Sequence, residues 1–156
     1  MIVNKKALLR VAPIQNMVAT KMTYKGFSWG LTECGYDIRI AQDIWMFPGR
    51  SFVLASSREC FNMPTNLMGR VLNKSSWARL GVDASMTTNI EPGWKGYLTL
   101  ELRYACWKPL FIPKGVGIAQ VIFERIEQET TYSGKYQNQP NRPVKAILNP
   151  FKITEH

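Results

Sequence analysis

Nine prolines and 11 glycines are spread from Pro13 to Pro150, and no stretch of the chain keeps a helical period for long. Each proline removes a backbone donor and each glycine weakens an element interior, so this punctuation leaves pieces of strand length. The clearest is Tyr97-Leu98-Thr99-Leu100-Glu101-Leu102-Arg103, in which the leucines share one face and Thr99, Glu101 and Arg103 the other. It follows a turn signal, Glu91-Pro92-Gly93-Trp94-Lys95-Gly96. Further strands are expected at Ser51–Ala55, Leu67–Leu72 and Ile118–Phe123, each bounded by Pro or Gly. Many short strands predict a mostly β jelly-roll or barrel. One short helix fits into it: Ser75 or Ser76 would cap a turn through Trp77-Ala78-Arg79-Leu80, and Gly81 would close it. With 156 residues, 46% of them hydrophobic, the expectation is one domain over residues 1–156, in which residues 1–30 are an N-terminal structural segment.

Lys and Arg number 20 against 11 Asp and Glu, a formal charge of +9 that favours polyanions. Nucleic acid, an acidic membrane and a nucleoside triphosphate all satisfy that charge. Cys34, Cys60 and Cys106 are too widely spaced for a Cys-x-x-Cys metal site, and their odd number argues against a disulfide framework. No run approaches 18 apolar residues, and the N-terminus reaches Lys5-Lys6 too soon for a signal-peptide core, so a cytoplasmic protein without a membrane partner is expected.

Several chemistries lack their residues. The zinc deaminases hold Zn²⁺ with a His and two Cys, whereas the sole histidine here is His156. Ser-His-Asp and Cys-His catalysis fail for the same reason. There is no P-loop and no strand-linked Gly-x-Gly-x-x-Gly. Carboxylates, together with metal carried on a phosphate, are left to do hydrolytic work.

Three segments could carry it. Glu101 sits mid-strand among leucines, where burial would raise its pKa toward the range useful for proton shuttling; the alternative is an outward Glu on a half-exposed sheet. Lys74-Ser75-Ser76-Trp77-Ala78-Arg79 gathers cations, hydroxyls and a helix start, a composition suited to oxyanions, though it could be only a capped turn. Tyr132-Ser133-Gly134-Lys135-Tyr136-Gln137-Asn138-Gln139 offers aromatics, a cation and amides on a segment that could close over a ligand or hang as a solvated tail.

Taken in order, these stretches resemble the dCTP deaminase family, which shares a trimeric β fold with the dUTPases. The resemblance runs through Cys34-Gly35-Tyr36-Asp37-Ile38-Arg39, Pro48-Gly49 with Phe52-Val53-Leu54-Ala55, Lys74 to Gly81, Glu91 to Gly96 with Leu100-Glu101, and Gly134 to Gln139. It implies a distorted jelly-roll of the dUTPase-like type, assembled as a homotrimer with sites between subunits. It implies zinc-independent deamination of dCTP to dUTP and ammonia, supplying dUTP for thymidine nucleotide synthesis, with Glu101 as general acid/base. Ser75 and Arg79 would hold the water and substrate, and Lys74, Ser76, Lys135, Gln139 and Tyr132 the triphosphate. Glu91 would lie by the deoxyribose 3′-hydroxyl, and Trp77, Ala78, Thr87, Thr88, Trp94, Thr99 and Leu100 would complete the substrate site. Mg²⁺ would be bound through the triphosphate rather than by a protein cage, and residues 130–156 would be a substrate-covering segment. Lys74 stands where most members have Arg, Glu91 where Asp is usual, and Met86-Thr87-Thr88-Asn89 where the family has a Thr-Ala pair.

Other readings stay open. A bifunctional enzyme would go on to cleave dUTP to dUMP and pyrophosphate, with Glu91 aligning the second water. A pure dUTPase would have no need of Glu101. A basic protein for single-stranded nucleic acid could use the five Trp and six Tyr, but the polar residues fall into phosphate-sized clusters rather than an extended stripe, so no nucleic-acid partner is expected.

Overall fold

The computed structural model describes residues 1–49 and 52–148; Ser51, at the head of one expected strand, and residues 149–156 of the tail, with Pro150 and His156, lie outside the described residues. The elements run β1 (Ile2–Val3), α1 (Lys5–Val11), β2 (Lys21–Tyr24), β3 (Phe27–Leu31), β4 (Gly35–Arg39), β5 (Ile44–Met46), β6 (Phe52–Asn62) and β7 (Leu67–Asn73). They continue with α2 (Ser75–Ala78), β8 (Val82–Asp83), a 3-10 turn at Ser85–Thr87, β9 (Asn89–Ile90), β10 (Lys95–Tyr104), β11 (Leu110–Ile112) and β12 (Gly117–Arg125). The expected strands are present inside β6, β7, β10 and β12. One sheet has the order β2-β3-β4-β12-β7-β9 with β1 added to β12, a second is β6-β10-β8, and β5 pairs with β11. The result is the mostly β, jelly-roll-like fold that the proline and glycine punctuation predicts. No helix among the described residues is long and apolar enough to cross a membrane.

Local chemistry explains the elements. The β2–β3 hairpin turns on Lys25 (φ 49°) and Gly26 (φ 80°), the pair of positive φ values that a two-residue turn needs to match strand twist. The expected helix forms as α2, but neither serine caps it: Lys74 is the extended residue before it, and no side-chain cap bond is made. Gly81, at φ 89°, closes the turn with its N–H donating to the Ala78 carbonyl at 3.0 Å. The helix α1 is additional, held down by the fully buried Leu8 within the N-terminal segment.

The core lies between the sheets. Leu98, Leu100 and Leu102 of β10 are buried, as are Tyr36 and Ile38 of β4, Phe61 of β6, and Val121 and Phe123 of β12. Each such apolar side chain contributes roughly 1.5–3 kcal/mol relative to exposure. Two ion pairs are buried with it. The Lys74 ammonium donates to Asp37 Oδ2 at 2.5 Å and to Ser28 Oγ at 2.8 Å, with the two charged side chains 10% and 4% exposed. Glu59 accepts from the Arg39 backbone N–H at 2.8 Å and from its Nε at 2.7 Å, while the Arg39 guanidinium lies 3.7 Å over the Trp29 ring.

Beyond β12 the chain runs back along β10. The Asn138 N–H donates to the Lys95 carbonyl, the Tyr97 N–H to the Gln139 carbonyl, and Gly96 and Gln139 form a parallel bridge. Gly96 makes this approach possible: it sits at φ 131°, and a Cβ there would lie 2.5 Å from the Gln139 nitrogen.

Two outcomes are expected. Asp37→Asn strands the buried Lys74 ammonium and should lower unfolding free energy by about 3–5 kcal/mol in a urea titration, with the joint Asp37→Leu, Lys74→Met replacement recovering most of it. Gly96→Ala should detach residues 131–148 from β10, seen as faster limited proteolysis of that segment with little change in the melting of the rest.

Candidate active site

The alternation of β10 places the site. With Leu100 and Leu102 turned into the core, Thr99 and Glu101 project from the opposite face into a cavity of about 460 Å³. The cross-strand neighbours of Glu101 and Arg103 on β6 are Leu54 and Phe52, which line the same cavity. A second wall comes from Thr87 in the 3-10 turn, followed by Asn89 and Glu91, whose side chains flank the buried Ile90. Trp94, in the turn leading into β10, and the apolar Ile90 and Leu98 also line it, and Tyr132, Tyr136, Gln139, Val144 and Ala146 bring the C-terminal segment across.

Hydrogen bonds hold this arrangement. The Glu101 backbone N–H donates to Thr87 Oγ1 at 2.9 Å, which ties the 3-10 turn to the middle of β10. Thr88 then adopts φ 65° and ψ −124°, an unusual conformation for a β-branched residue that turns the chain from Thr87 into β9. Thr99 Oγ1 donates to Gln139 Oε1 at 2.7 Å and accepts the Val144 N–H at 3.0 Å. Trp94 Nε1 donates to the Tyr136 carbonyl at 2.6 Å, and the Tyr136 N–H to the Tyr132 hydroxyl at 3.2 Å. The polar segment that reads as a free tail is therefore docked as one wall of the cavity.

The electrostatics single out Glu101. Burial pushes its carboxyl above the ordinary carboxylate range, and among the described residues no ion pair or hydrogen bond reaches the carboxylate to oppose this. The shift runs in the direction that suits a carboxyl to exchanging a proton with a ligand. The neighbouring Glu91 is exposed at the cavity wall.

Of the residues expected at a site, Glu101, Thr87, Glu91, Trp94, Thr99, Tyr132 and Gln139 come together in this cavity. Lys74, Ser75, Ser76, Trp77, Ala78, Arg79, Thr88, Leu100 and Lys135 are not among its lining. Leu100 points into the core, and so does Trp77, stacked 4.1 Å from Phe27 with its Nε1 donating to the Gly117 carbonyl at 2.7 Å; only backbone groups of these two can face a ligand. The Lys74 ammonium is engaged by Asp37 and Ser28. Lys135 is exposed, donates to the Ile147 carbonyl, and stands 5.3 Å over the Tyr136 ring. Ser75, Ser76, Ala78 and Arg79 are exposed on α2. Asn89, Ile90, Leu98, Phe52, Leu54, Tyr136, Val144 and Ala146 line the cavity without having been expected there. Asn89 carried a signal, since it alternates with Glu91 about the apolar Ile90; Phe52 and Leu54 depend on the pairing of β6 with β10, which no local pattern specifies.

Comparison with known proteins gives the family. A family model described as dCTP deaminase-like matches residues 37–126. The chain is 36% identical to a dCTP deaminase of Sulfurovum sp. over 78% of its own length and 81% of that protein. It is 34% identical to a dCTP deaminase of Herpetosiphon aurantiacus over 72% and 78%. Among solved structures, the 2′-deoxycytidine 5′-triphosphate deaminase of Agrobacterium tumefaciens superposes with a TM-score of 0.55 at 17% identity, covering 81% of this chain and 49% of that one. A dUTPase from phage phi11 of S. aureus superposes with a TM-score of 0.56 at 15% identity, covering 78% and 92%. With a family match over more than half of its length and relatives above 30% identity along most of it, a chain whose Glu101 cavity stands on a dUTPase-like fold belongs to the dCTP deaminase-like family.

Proposed function

We propose that the protein is a hydrolytic dCTP deaminase, releasing dUTP and ammonia, with Glu101 as the general acid/base. The observation that carries this reading is the position of Glu101: a carboxyl facing a nucleotide-sized cavity, with its pKa raised by burial. Glu101 would give its proton to N3 of cytosine while a water oxygen adds to C4. It would take a proton from that water and pass it to the 4-amino group. The C4–N bond then breaks and ammonia leaves, while the proton remaining on the added hydroxyl returns to Glu101, so that the water oxygen remains as O4 of uracil and the carboxyl is restored. One residue serves both directions of transfer, which a pKa nearer neutrality favours.

The rest of the expected machinery supports an assembly. Ser75, Ser76 and Arg79 offer hydroxyls and a guanidinium to oxyanions from an exposed helix outside the cavity that holds Glu101. We infer a homotrimer in which α2 of one copy meets the Glu101 cavity of the next, supplying water-holding and phosphate-holding groups. Lys74 would act by anchoring α2 through its pair with Asp37, and Gln139 would meet the triphosphate from the docked segment. Lys135 and Tyr132 would join it on release from Ile147 and Tyr136.

Mg²⁺ fits this scheme as part of the substrate. Among the described residues no three His, Cys, Asp or Glu side chains gather into a cage, so the oxygens of the triphosphate would hold the ion and it would neutralise their charge. Zinc is left out of the proposal because the sole histidine is His156 and the cysteines stand at 34, 60 and 106. The reaction would take place in the cytoplasm, where a free nucleotide substrate is at hand.

Glu91 favours a second reading. Its exposed carboxylate shares the cavity with Glu101 and could align a water for cleavage of dUTP to dUMP and pyrophosphate. Incubation with dCTP and Mg²⁺, with nucleotides resolved by anion exchange and ammonia assayed, separates the readings: dUTP supports the simple deaminase, dUMP with pyrophosphate the bifunctional enzyme, and no ammonia overturns both.

Two outcomes are expected of Glu101→Gln. Deamination should fall by at least 10²–10⁴-fold, the usual contribution of a positioned proton-transfer group, while dCTP binding by calorimetry is retained. The variant should also be more stable than the wild type at neutral pH. A carboxyl whose pKa rises on folding contributes stability below the ordinary carboxylate pKa and loses it as pH rises through the folded value. The advantage of Gln in thermal melts should therefore shrink as pH is lowered toward about 4.

A further inference from the structure

Residues 1–32 contain five Lys and Arg and no Asp or Glu, so this stretch carries +5 of the chain's +9. None of the five lines the Glu101 cavity, and the proposed reaction leaves their charge without a use. We propose that the cleft between α1 and the start of β2 is a second anion site, one that takes a phosphate monoester whose organic part is apolar.

The fold gathers three of these cations in one place. Lys5 and Lys6 open α1, Lys21 opens β2, and all three line a cleft of about 900 Å³ that shares no residue with the Glu101 cavity. Glu33 is the one carboxylate among its described lining residues, and it accepts from Lys5 Nζ at 2.9 Å. That bond first, and the charges of Lys5 and Lys21 with it, hold the Glu33 carboxyl below the ordinary carboxylate range, which puts Lys21 within electrostatic reach of the pair. Lys6 and Lys21 form no ion pair among the described residues. Two ammonium groups are thus left over at the cleft, enough to match the charge of one phosphate monoester at neutral pH.

The remaining lining defines what the phosphate is attached to. The Asn4 amide donates to the Glu33 carbonyl at 2.8 Å and the Thr20 hydroxyl to the Met22 sulfur at 3.7 Å, so both have partners within the chain. The rest of the wall is aliphatic: Leu9 from the following turn of α1, Leu31 at the end of β3, and two alanines. No aromatic ring lines the cleft, so a nucleobase finds no face to stack on. Inorganic phosphate would leave the aliphatic wall in water. An alkyl phosphate satisfies the cations and covers the leucines together.

Calorimetric titration of the full chain with hexyl phosphate tests this, with uridine 5′-monophosphate, inorganic phosphate and hexanol as comparisons. Hexyl phosphate should bind at one site per chain, about 10-fold or more tighter than each of the other three, the factor that burial of two methylenes or gain of one charged hydrogen bond supplies. The double variant Lys6→Gln, Lys21→Gln should lose about 10-fold or more of that affinity, and Lys6→Arg, Lys21→Arg should keep it to within about threefold. Melting temperature and action on dCTP should be the same in both variants as in the wild type. Failure of hexyl phosphate to bind, affinity indifferent to the two lysines, or inorganic phosphate binding as tightly overturns the proposal. Tighter binding of uridine 5′-monophosphate that depends on the lysines overturns it in favour of a nucleotide site. These affinities are read without turnover, so a protein that releases no ammonia from dCTP overturns the deaminase reading and leaves the second site to be judged on its own titration.

Discussion

The two-residue alternation of β10 governs the rest of the site. Burying Leu98, Leu100 and Leu102 leaves no freedom in where Thr99 and Glu101 point, because a shift of one residue would exchange the faces and expose the leucines. The cost of misregister is thus several buried apolar side chains, each worth roughly 1.5–3 kcal/mol, more than the cost of holding one partly buried carboxyl in a cavity. Core packing specifies the chemistry-bearing face as a consequence. The same strand then serves as the template for the C-terminal segment, whose Gln139 and Val144 both bond to Thr99.

Packing also explains why the residues proposed to bind oxyanions and the residue proposed to transfer the proton stand apart in one chain. The helix α2 must turn Trp77 inward to stack on Phe27, and a four-residue helix that buries Trp77 necessarily presents Ser75, Ser76 and Arg79 outward. The Lys74–Asp37 pair pins the start of this helix to β4. Its exposed residues are therefore rigidly displayed rather than free to fold back toward the Glu101 cavity, which suits the proposed meeting with the cavity of a second copy.

Much of this was legible in the chain. The strands at residues 52–55, 67–72, 97–103 and 118–123, the turn closed by Gly81 and the inward leucines follow from punctuation and period, because those signals are local. The helix α1 was not legible: Lys5-Lys6-Ala7-Leu8-Leu9-Arg10-Val11 buries Leu8 fully, too little apolar surface to mark a period. The docked tail was hidden for a different reason. Its polar side chains and backbone bond to the backbone and side chains of β10, an association that hydrophobic pattern does not record, and its tight contacts are permitted by Gly96 and Gly93, which in sequence read only as a turn. Phe52 and Leu54 entered the site through register and pairing, which are properties of the assembled sheets.

Glu59 and Glu101 show how the fold separates structure from chemistry with one residue type. Burial raises the pKa of both carboxyls, but Arg39 meets Glu59 with two hydrogen bonds that work against the rise. With its guanidinium also packed on Trp29, that pair joins β4 to β6 and is closed to other partners. Glu101 lies in a cavity where, among the described residues, no cation answers it. A carboxyl that is satisfied holds strands together; one that is left wanting is available to a ligand. The difference lies in whether β4 or the open face of β10 stands opposite, and so the unsatisfied state of Glu101 is as much a product of the topology as the salt bridge of Glu59.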